Sequence, residues 1–198
     1  MLSLLLATRN AHKTVEVCAI LGAEWDLTDL TAYPDWPEVD ETGATFADNA
    51  ALKALAASAR LPDAWVLADD SGLEVDALHG APGVQSARYS GARATDASNR
   101  AKLSAELEIL GAHAPRIARF HCVIALARGG EIQASFDGVV EGTILTRERG
   151  LGGFGYDSLF VPVGYQDSFG ELPAAVKNSL SHRGRALAKV IAFLRARP

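Results

Sequence analysis

The period of the apolar positions changes several times along the chain. Leu4, Leu5, Leu6 and Ala7 form an unbroken apolar run, the pattern of a strand buried on both faces, and a strand is predicted over residues 2–7. Thr8-Arg9-Asn10-Ala11-His12 is a polar loop, and a helix follows from about Lys13 to Leu21, with Gly22 as its stop. Residues 31–44 are rich in acids and turn formers. Thr45 and Asp48 are placed to cap an alanine-rich helix from Phe46 to about Arg60, which Leu61-Pro62-Asp63 breaks. Trp65–Ala68 is a short buried strand with Asp69-Asp70-Ser71-Gly72 at its C-terminal end. Gly80–Gly83 is a turn, and Thr95 opens a helix to about Leu110, with Gly111 beyond it. Phe120–Ala127 and Glu131–Phe136 form a hairpin across Gly129-Gly130, Val139–Leu145 adds a further strand, and Leu159–Val161 is a short one. Ser181 caps a last helix, on which Leu187, Val190, Ile191 and Leu194 fall at i, i+3, i+4 and i+7, a single buried stripe. Helices and strands alternate, strands then cluster, and a helix closes the chain. That order predicts an α/β fold with a mixed sheet.

Composition narrows the class. The chain has 198 residues, 48% of them hydrophobic and 22% charged, which excludes a disordered chain and a fibrous repeat and fits one domain, residues 1–198. Nineteen basic against 24 acidic side chains give a net charge of −5, which disfavours a nucleic-acid partner. The charge is uneven: after Glu171 there are six basic residues (Lys177, Arg183, Arg185, Lys189, Arg195, Arg197) and no acidic one. A cationic segment on an acidic protein suits a small anionic ligand, although a solvated helix face has the same pattern. Cys18 and Cys122 each lie in an apolar run, as buried free thiols do, and their spacing suggests neither zinc nor a disulfide. No stretch approaches the length of a membrane span, and the short apolar start lacks the form of a signal peptide, so a cytoplasmic protein with no membrane partner is expected.

Four constellations carry chemistry. Thr8-x-Asn10-x-x-Lys13, between a strand and a helix, can offer donors and a mobile charge to phosphate at a helix start; a capped helix with a solvated lysine would look the same. Asp69 and Asp70 alternate in direction along a strand, so one of them faces any given surface. With Glu41 from the acidic loop, that carboxylate could hold magnesium, which takes one or two carboxylates together with waters and phosphates. Gly152-Gly153-Phe154-Gly155-Tyr156-Asp157 could present an aromatic face to a flat base, or be a hinge with Phe154 in the core. Lys177-Asn178 and Ser181-His182-Arg183-Gly184-Arg185 put positive charge in the first turn of the last helix, where the dipole opposes it unless an anion or another partner compensates. Together these provide phosphate donors, a cation site, a stacking surface and a cationic helix start, a set that matches a magnesium-bound nucleoside triphosphate.

The stretches LLLATRNAHK, ETGATFADNAALKA, LADDSGLEVDALHGAPGVQSARYSG, GLGGFGYDSLFVP and KNSLSHRGRAL, spanning Leu4 to Leu187, resemble those of the inosine triphosphate pyrophosphatase family, also called the Ham1-like family. The resemblance implies an α/β fold with a long mixed sheet flanked by helices and two lobes around a substrate cleft, as a homodimer. It implies magnesium-dependent hydrolysis of ITP, dITP, XTP and dXTP to the monophosphate and pyrophosphate, which clears deaminated purines from the nucleotide pool. By position, Thr8, Arg9, Asn10, Ala11, His12 and Lys13 would hold the phosphates. Glu41 and Asp70 would hold magnesium, with Asp70 also the base, and Ser71 would touch the substrate. Phe154, Gly155, Tyr156, Asp157, Lys177, His182 and Arg183 would complete the nucleotide pocket.

This chain departs from the family pattern in places. Arg9 and His12 stand where glycine is common, Asp48 where glutamate is usual, Ser158 where proline is common and Gly170 where alanine is common. Two other functions compete: a Maf-like pyrophosphatase acting on modified pyrimidine triphosphates, and a nucleotide-binding module without turnover.

Overall fold

The computed structural model describes residues 2–111 and 113–197. The elements run β1 (Leu2–Leu6), α1 (Ala11–Leu21), β2 (Trp25–Asp29), α2 (Phe46–Ser58), β3 (Trp65–Val75), α3 (Asp96–Ile109), β4 (Ile117–Arg128), β5 (Glu131–Ile144), β6 (Phe160–Pro162), α4 (Ala174–Leu180) and α5 (His182–Arg195). The six strands form one sheet in the order β2-β1-β3-β4-β5-β6. β1 pairs parallel with β2 and with β3, and β5 pairs antiparallel with β6, so the sheet is mixed as the element order predicts.

The chain divides into two compact units. The first holds the residues up to Asp70, Cys122–Gly138 and those from Arg183 on; the second holds Ser71–His121 and Val139–His182. Each has its own apolar core. In the first, Leu4, Leu6, Leu67, Ile124 and Leu126 from the strands meet Val17 and Leu21 of α1 and Leu187, Val190 and Leu194 of α5. The stripe read from the last helix is the face that is buried. In the second, Leu73, Val75, Phe120, Val140 and Ile144 meet Leu103 and Leu107 of α3 and the rings of Phe160 and Phe169.

Several boundaries differ from the sequence reading, each for a physical reason. α1 begins at Ala11, because Asn10 caps it by accepting from the amides of His12 and Lys13. β2 was not anticipated; its half-buried Trp25, Leu27 and Asp29 alternate with exposed Asp26 and Thr28, an edge-strand pattern only five residues long. β3 runs on to Val75, so Asp69 and Asp70 lie inside the strand rather than beyond its end. β5 is continuous: the strand expected over Val139–Leu145 is its second half, because the 12-residue β4 beside it outweighs the turn tendency of Asp137-Gly138. The seven-residue α4 was also missed. Cys122 is buried as expected, but Cys18 is exposed, since it falls off the buried Val17–Leu21 face of α1. Among the described residues no helix is long and apolar enough to cross a membrane.

α2 starts with a full capping box: Thr45 Oγ1 accepts from the Asp48 amide, and the Asp48 carboxylate accepts from the Thr45 amide. Thr45→Ala is expected to lower stability by about 1 kcal/mol, a fall in Tm of roughly 2–4 °C by calorimetry.

Candidate active site

In the first unit, adjacent aspartates on β3 turn to different partners, as strand alternation requires. Asp70 Oδ1 lies 2.9 Å from Lys53 Nζ, and Asp70 Oδ2 accepts from Asn49 Nδ2 at 3.3 Å. Asn49 and Lys53 are one turn apart on α2 and therefore share a face. Lys53 Nζ also donates to Glu41 Oε1 at 2.7 Å, so two carboxylates converge on one ammonium. The loop carrying Glu41 is tied down by Asn49 Oδ1, which accepts from the Gly43 amide at 2.8 Å. A Cβ at Gly43 would stand 2.5 Å from Asp48 Cβ and 2.7 Å from Asn49 Oδ1, so this close approach needs glycine. Burial pushes the Asp70 carboxyl above its ordinary range even though Lys53 and Lys13 pull it down. Burial would lower the Lys53 ammonium, but Asp70 and Glu41 outweigh it and raise it.

Asp69 sits in a different cluster. It is 3% exposed and pairs with Lys13, while Arg183, 1% exposed, donates from Nε to Asp69 Oδ2 at 2.9 Å. Arg183 also pairs through Nη1 with Glu16. Cys122 Sγ donates to the same Asp69 oxygen at 3.2 Å. Burial would raise the Asp69 carboxyl, yet Arg183 and Lys13 hold it well below the usual carboxylate range. Burial and then the Asp69 charge push the Cys122 thiol up, so it stays a protonated donor.

The loop before α1 is held by hydrogen bonds. Thr8 Oγ1 accepts from the Asn10 amide at 3.1 Å and Asn10 Oδ1 from the amides of His12 at 3.0 Å and Lys13 at 3.3 Å, bonds that leave the Thr8 hydroxyl proton and Asn10 Nδ2 as donors. Arg9 Nη2 donates to the carbonyls of Tyr33 at 3.2 Å and Trp36 at 2.7 Å, whose rings stack at 4.4 Å. Arg9 thus ties the loop that leads to Glu41. Ala11 and His12 are exposed at the helix start. Asp29, ending β2, accepts from Thr14 Oγ1 at 2.6 Å and anchors the first turn of α1.

In the second unit, Phe154 lies half-buried in the glycine loop. A Cβ at Gly153 would come within 2.1 Å of Asp157 Oδ2, and Gly153 has φ +71°. The Phe154 amide donates to Asp157 Oδ2 at 2.8 Å, and the buried Lys177 Nζ donates to the same oxygen at 2.5 Å while lying 5.1 Å from the Phe154 ring centroid. Tyr156 is buried; its hydroxyl donates to the Ser86 carbonyl at 2.9 Å, so its polar end is engaged by the backbone. Gly155 joins the same loop through contacts from α3. Ser71 is half-buried in β3, and His182 is buried with its ring stacked on Phe120 at 4.8 Å.

Within the first unit, Glu41, Asp70, Lys13 and Arg183 are joined through ion pairs to Lys53 and Asp69. Within the second, Phe154, Asp157 and Lys177 form one cluster, and His182 stacks on Phe120, whose neighbour Phe169 has its ring centroid 5.7 Å from Lys177 Nζ. Sequence reasoning missed Lys53 and Asn49; the available signal was their i, i+4 spacing in an otherwise alanine-rich helix. In the basic tail, Lys177, Arg183, Lys189 and Arg195 all pair with carboxylates.

The two carboxylates converging on Lys53 Nζ form a hard, oxygen-only donor set, which fits a divalent cation completed by waters and phosphate oxygens. Glu41 and Asp70 could supply two of its ligands; among the described residues no group of three or more His, Cys, Asp or Glu is gathered at one point.

The Ham1 family model matches residues 4–193. The dITP/XTP pyrophosphatase of Geobacter sulfurreducens is 50% identical over 189 residues, covering 95% of this chain and 94% of that protein. The protein of the same name from Desulforamulus reducens is 48% identical over 196 residues, covering 98% and 96%. A solved HAM1 protein from Coxiella burnetii superposes with a TM-score of 0.88 at 40% identity over the whole of both chains. The chain belongs to the Ham1 family.

Proposed function

We propose that this chain hydrolyses deaminated purine nucleoside triphosphates (ITP, dITP, XTP and dXTP) to the monophosphate and pyrophosphate, and so clears them from the nucleotide pool. The relatives named dITP/XTP pyrophosphatase, at 43–50% identity over nearly the whole chain, support the purine substrate over a modified pyrimidine. The observation that carries the chemistry is the buried Asp70, held between Lys53 and Asn49 with Glu41 on the same ammonium.

Water adds across the α–β phosphoanhydride, and Asp70 takes its proton. Asn49 and Lys53 fix the two oxygens of Asp70 in place, so the base needs no reorganisation when it acts. Glu41 and Asp70 are the ligands for magnesium, which when bound neutralises phosphate oxygens and polarises water. Lys13, oriented by Asp69, and the start of α1 set positive charge toward the phosphates. Thr8, Arg9 and Asn10 shape that loop through their own hydrogen bonds, leaving Ala11 and His12 at its exposed rim. In the second unit, Phe154 to Asp157 with Lys177 receive the purine. Ser71, His182 and Arg183 complete the set, with Arg183 acting through Asp69. A donor directed at the six-position oxygen would be left unpaired by adenine, a mismatch that rejects strongly.

The whole chain works as one catalytic domain in this reading: both units are assembled from separate stretches of sequence, which argues against either acting alone. The homodimer and the cytoplasmic location belong to the same proposal and are tested by sedimentation and by cell fractionation.

With ITP or XTP and magnesium, the purified protein is expected to release pyrophosphate about 10⁴-fold faster than from ATP, the scale of discrimination an unpaired polar group gives. Release of single phosphate, or preference for methylated pyrimidine triphosphates, would overturn the proposal. Chelation with EDTA should remove turnover, and added magnesium should restore it; activity that survives chelation removes Glu41 and Asp70 from the metal role.

A further inference from the structure

Nothing in the proposed chemistry uses α3, yet two of its polar side chains are committed to one residue of the glycine loop. Asp96 Oδ2 accepts from the Gly155 amide at 2.7 Å, and Arg100 Nη1 donates to the Gly155 carbonyl at 2.8 Å. Asp96 and Arg100 are one turn apart, so a single helix face holds both polar groups of one residue. Arg100 is itself fixed: its Nε donates to Glu148 Oε2 at 2.8 Å, and Ser158 Oγ donates to that same oxygen at 2.9 Å. The planar guanidinium suits this, since one rigid fork reaches two acceptors at once. The Ser158 hydroxyl thus gives Glu148 a second donor. Burial would raise the Glu148 carboxyl, but hydrogen bonds from Arg100 and Ser158 hold it below its ordinary range.

The other side of Phe154 is tethered as well. Its amide donates to Asp157, and its carbonyl accepts from the Asp157 amide at 3.2 Å. The Phe154 ring thus projects from a backbone fixed before and after it. Glu148 is about half exposed, at 47% for its side chain, so its ion pair with Arg100 adds little to stability. Asp96 and Arg100 reach the loop directly, and Glu148 and Ser158 act on it through Arg100. We infer that Asp96 and Arg100 are positioning residues that clamp the backbone of Gly155 on both sides and so hold the Phe154 ring ready for the purine. The inference rests on the proposed nucleotide function and adds to it the residues that set the grip on the base.

The test is Arg100→Met, assayed with ITP, with inorganic tripolyphosphate as a competitor that lacks a base. The KM for ITP is expected to rise about tenfold with kcat within about twofold of wild type, since binding alone loses its preorganisation. The inhibition constant of tripolyphosphate should stay unchanged, and Arg100→Lys, which can keep one of the two contacts, should fall between. Parallel weakening of tripolyphosphate, or an unchanged KM, would overturn the clamp. Hydrogen exchange at the Phe154 and Gly155 amides gives a second reading that does not depend on turnover: faster exchange in Arg100→Met supports the clamp and unchanged exchange refutes it. A wild type that releases no pyrophosphate from ITP removes the proposed function instead, and the exchange measurement still decides the clamp.

Discussion

Asp70→Asn should reduce pyrophosphate release from ITP by about 10³-fold or more, the span that loss of a general base covers, while the protein stays folded. The amide cannot take a proton from water at neutral pH, yet it has nearly the shape of the carboxylate. Its oxygen can still accept from Lys53 or from Asn49, though not from both in the present geometry, where each of those groups donates to a different oxygen. Stability should change little, because burial already disfavours the charge at this position and pushes the carboxyl upward. Circular dichroism and a Tm within a few degrees of wild type would show that the loss is chemical. Near-normal turnover would remove Asp70 as the base, and loss of the fold would mean that its charge is needed chiefly to offset Lys53.

The elements that the pattern of apolar positions revealed are those whose burial decides their shape. The α5 stripe of Leu187, Val190 and Leu194, the apolar run of β1 and the two Thr-capped helices are all present, because period and capping act locally. The errors fall where tertiary pairing wins. β3 continues through Asp69-Asp70-Ser71-Gly72, residues that favour turns, because partners elsewhere in the chain satisfy the carboxylates and the strand need not end to solvate them. β2 and α4 are too short for a period to establish itself.

The site was partly legible in the same sense. Spacing indicated that Asp69 and Asp70 part ways, and their partner sets are separate. It could not indicate that Lys53 would stand between Asp70 and Glu41, because a lysine in an alanine-rich helix carries no mark of what it faces. Arg183 shows the opposite case. Positive charge in the first turn of α5 does require compensation, as the dipole argument says, but Glu16 and Asp69 of the protein provide it. Long-range ion pairs join residues 114 positions apart, and no local pattern encodes them.

That buried pair should dominate the stability of the first unit. Arg183→Met leaves Asp69 with Lys13 and Cys122, and removes the Arg183–Glu16 pair from the same cluster. Removing one member of a buried pair costs about 3–5 kcal/mol, most of it from the charge left behind, so the urea midpoint should fall sharply. Arg183→Met combined with Asp69→Asn should recover part of the loss, because the buried Asp69 charge no longer faces the loss of its guanidinium partner. The sign of the pH dependence follows from the depressed Asp69 carboxyl. Its folded value lies below the ordinary 3.8 of an unpaired aspartate, so its contribution is fully present above that pH and is lost as pH falls toward the folded value. The gap between wild type and Arg183→Met should therefore be widest near neutrality and shrink below about pH 4. A single variant within about 1 kcal/mol of wild type at pH 7 would show that Arg183 behaves as a surface pair does, and that Lys13 and Cys122 suffice to hold Asp69.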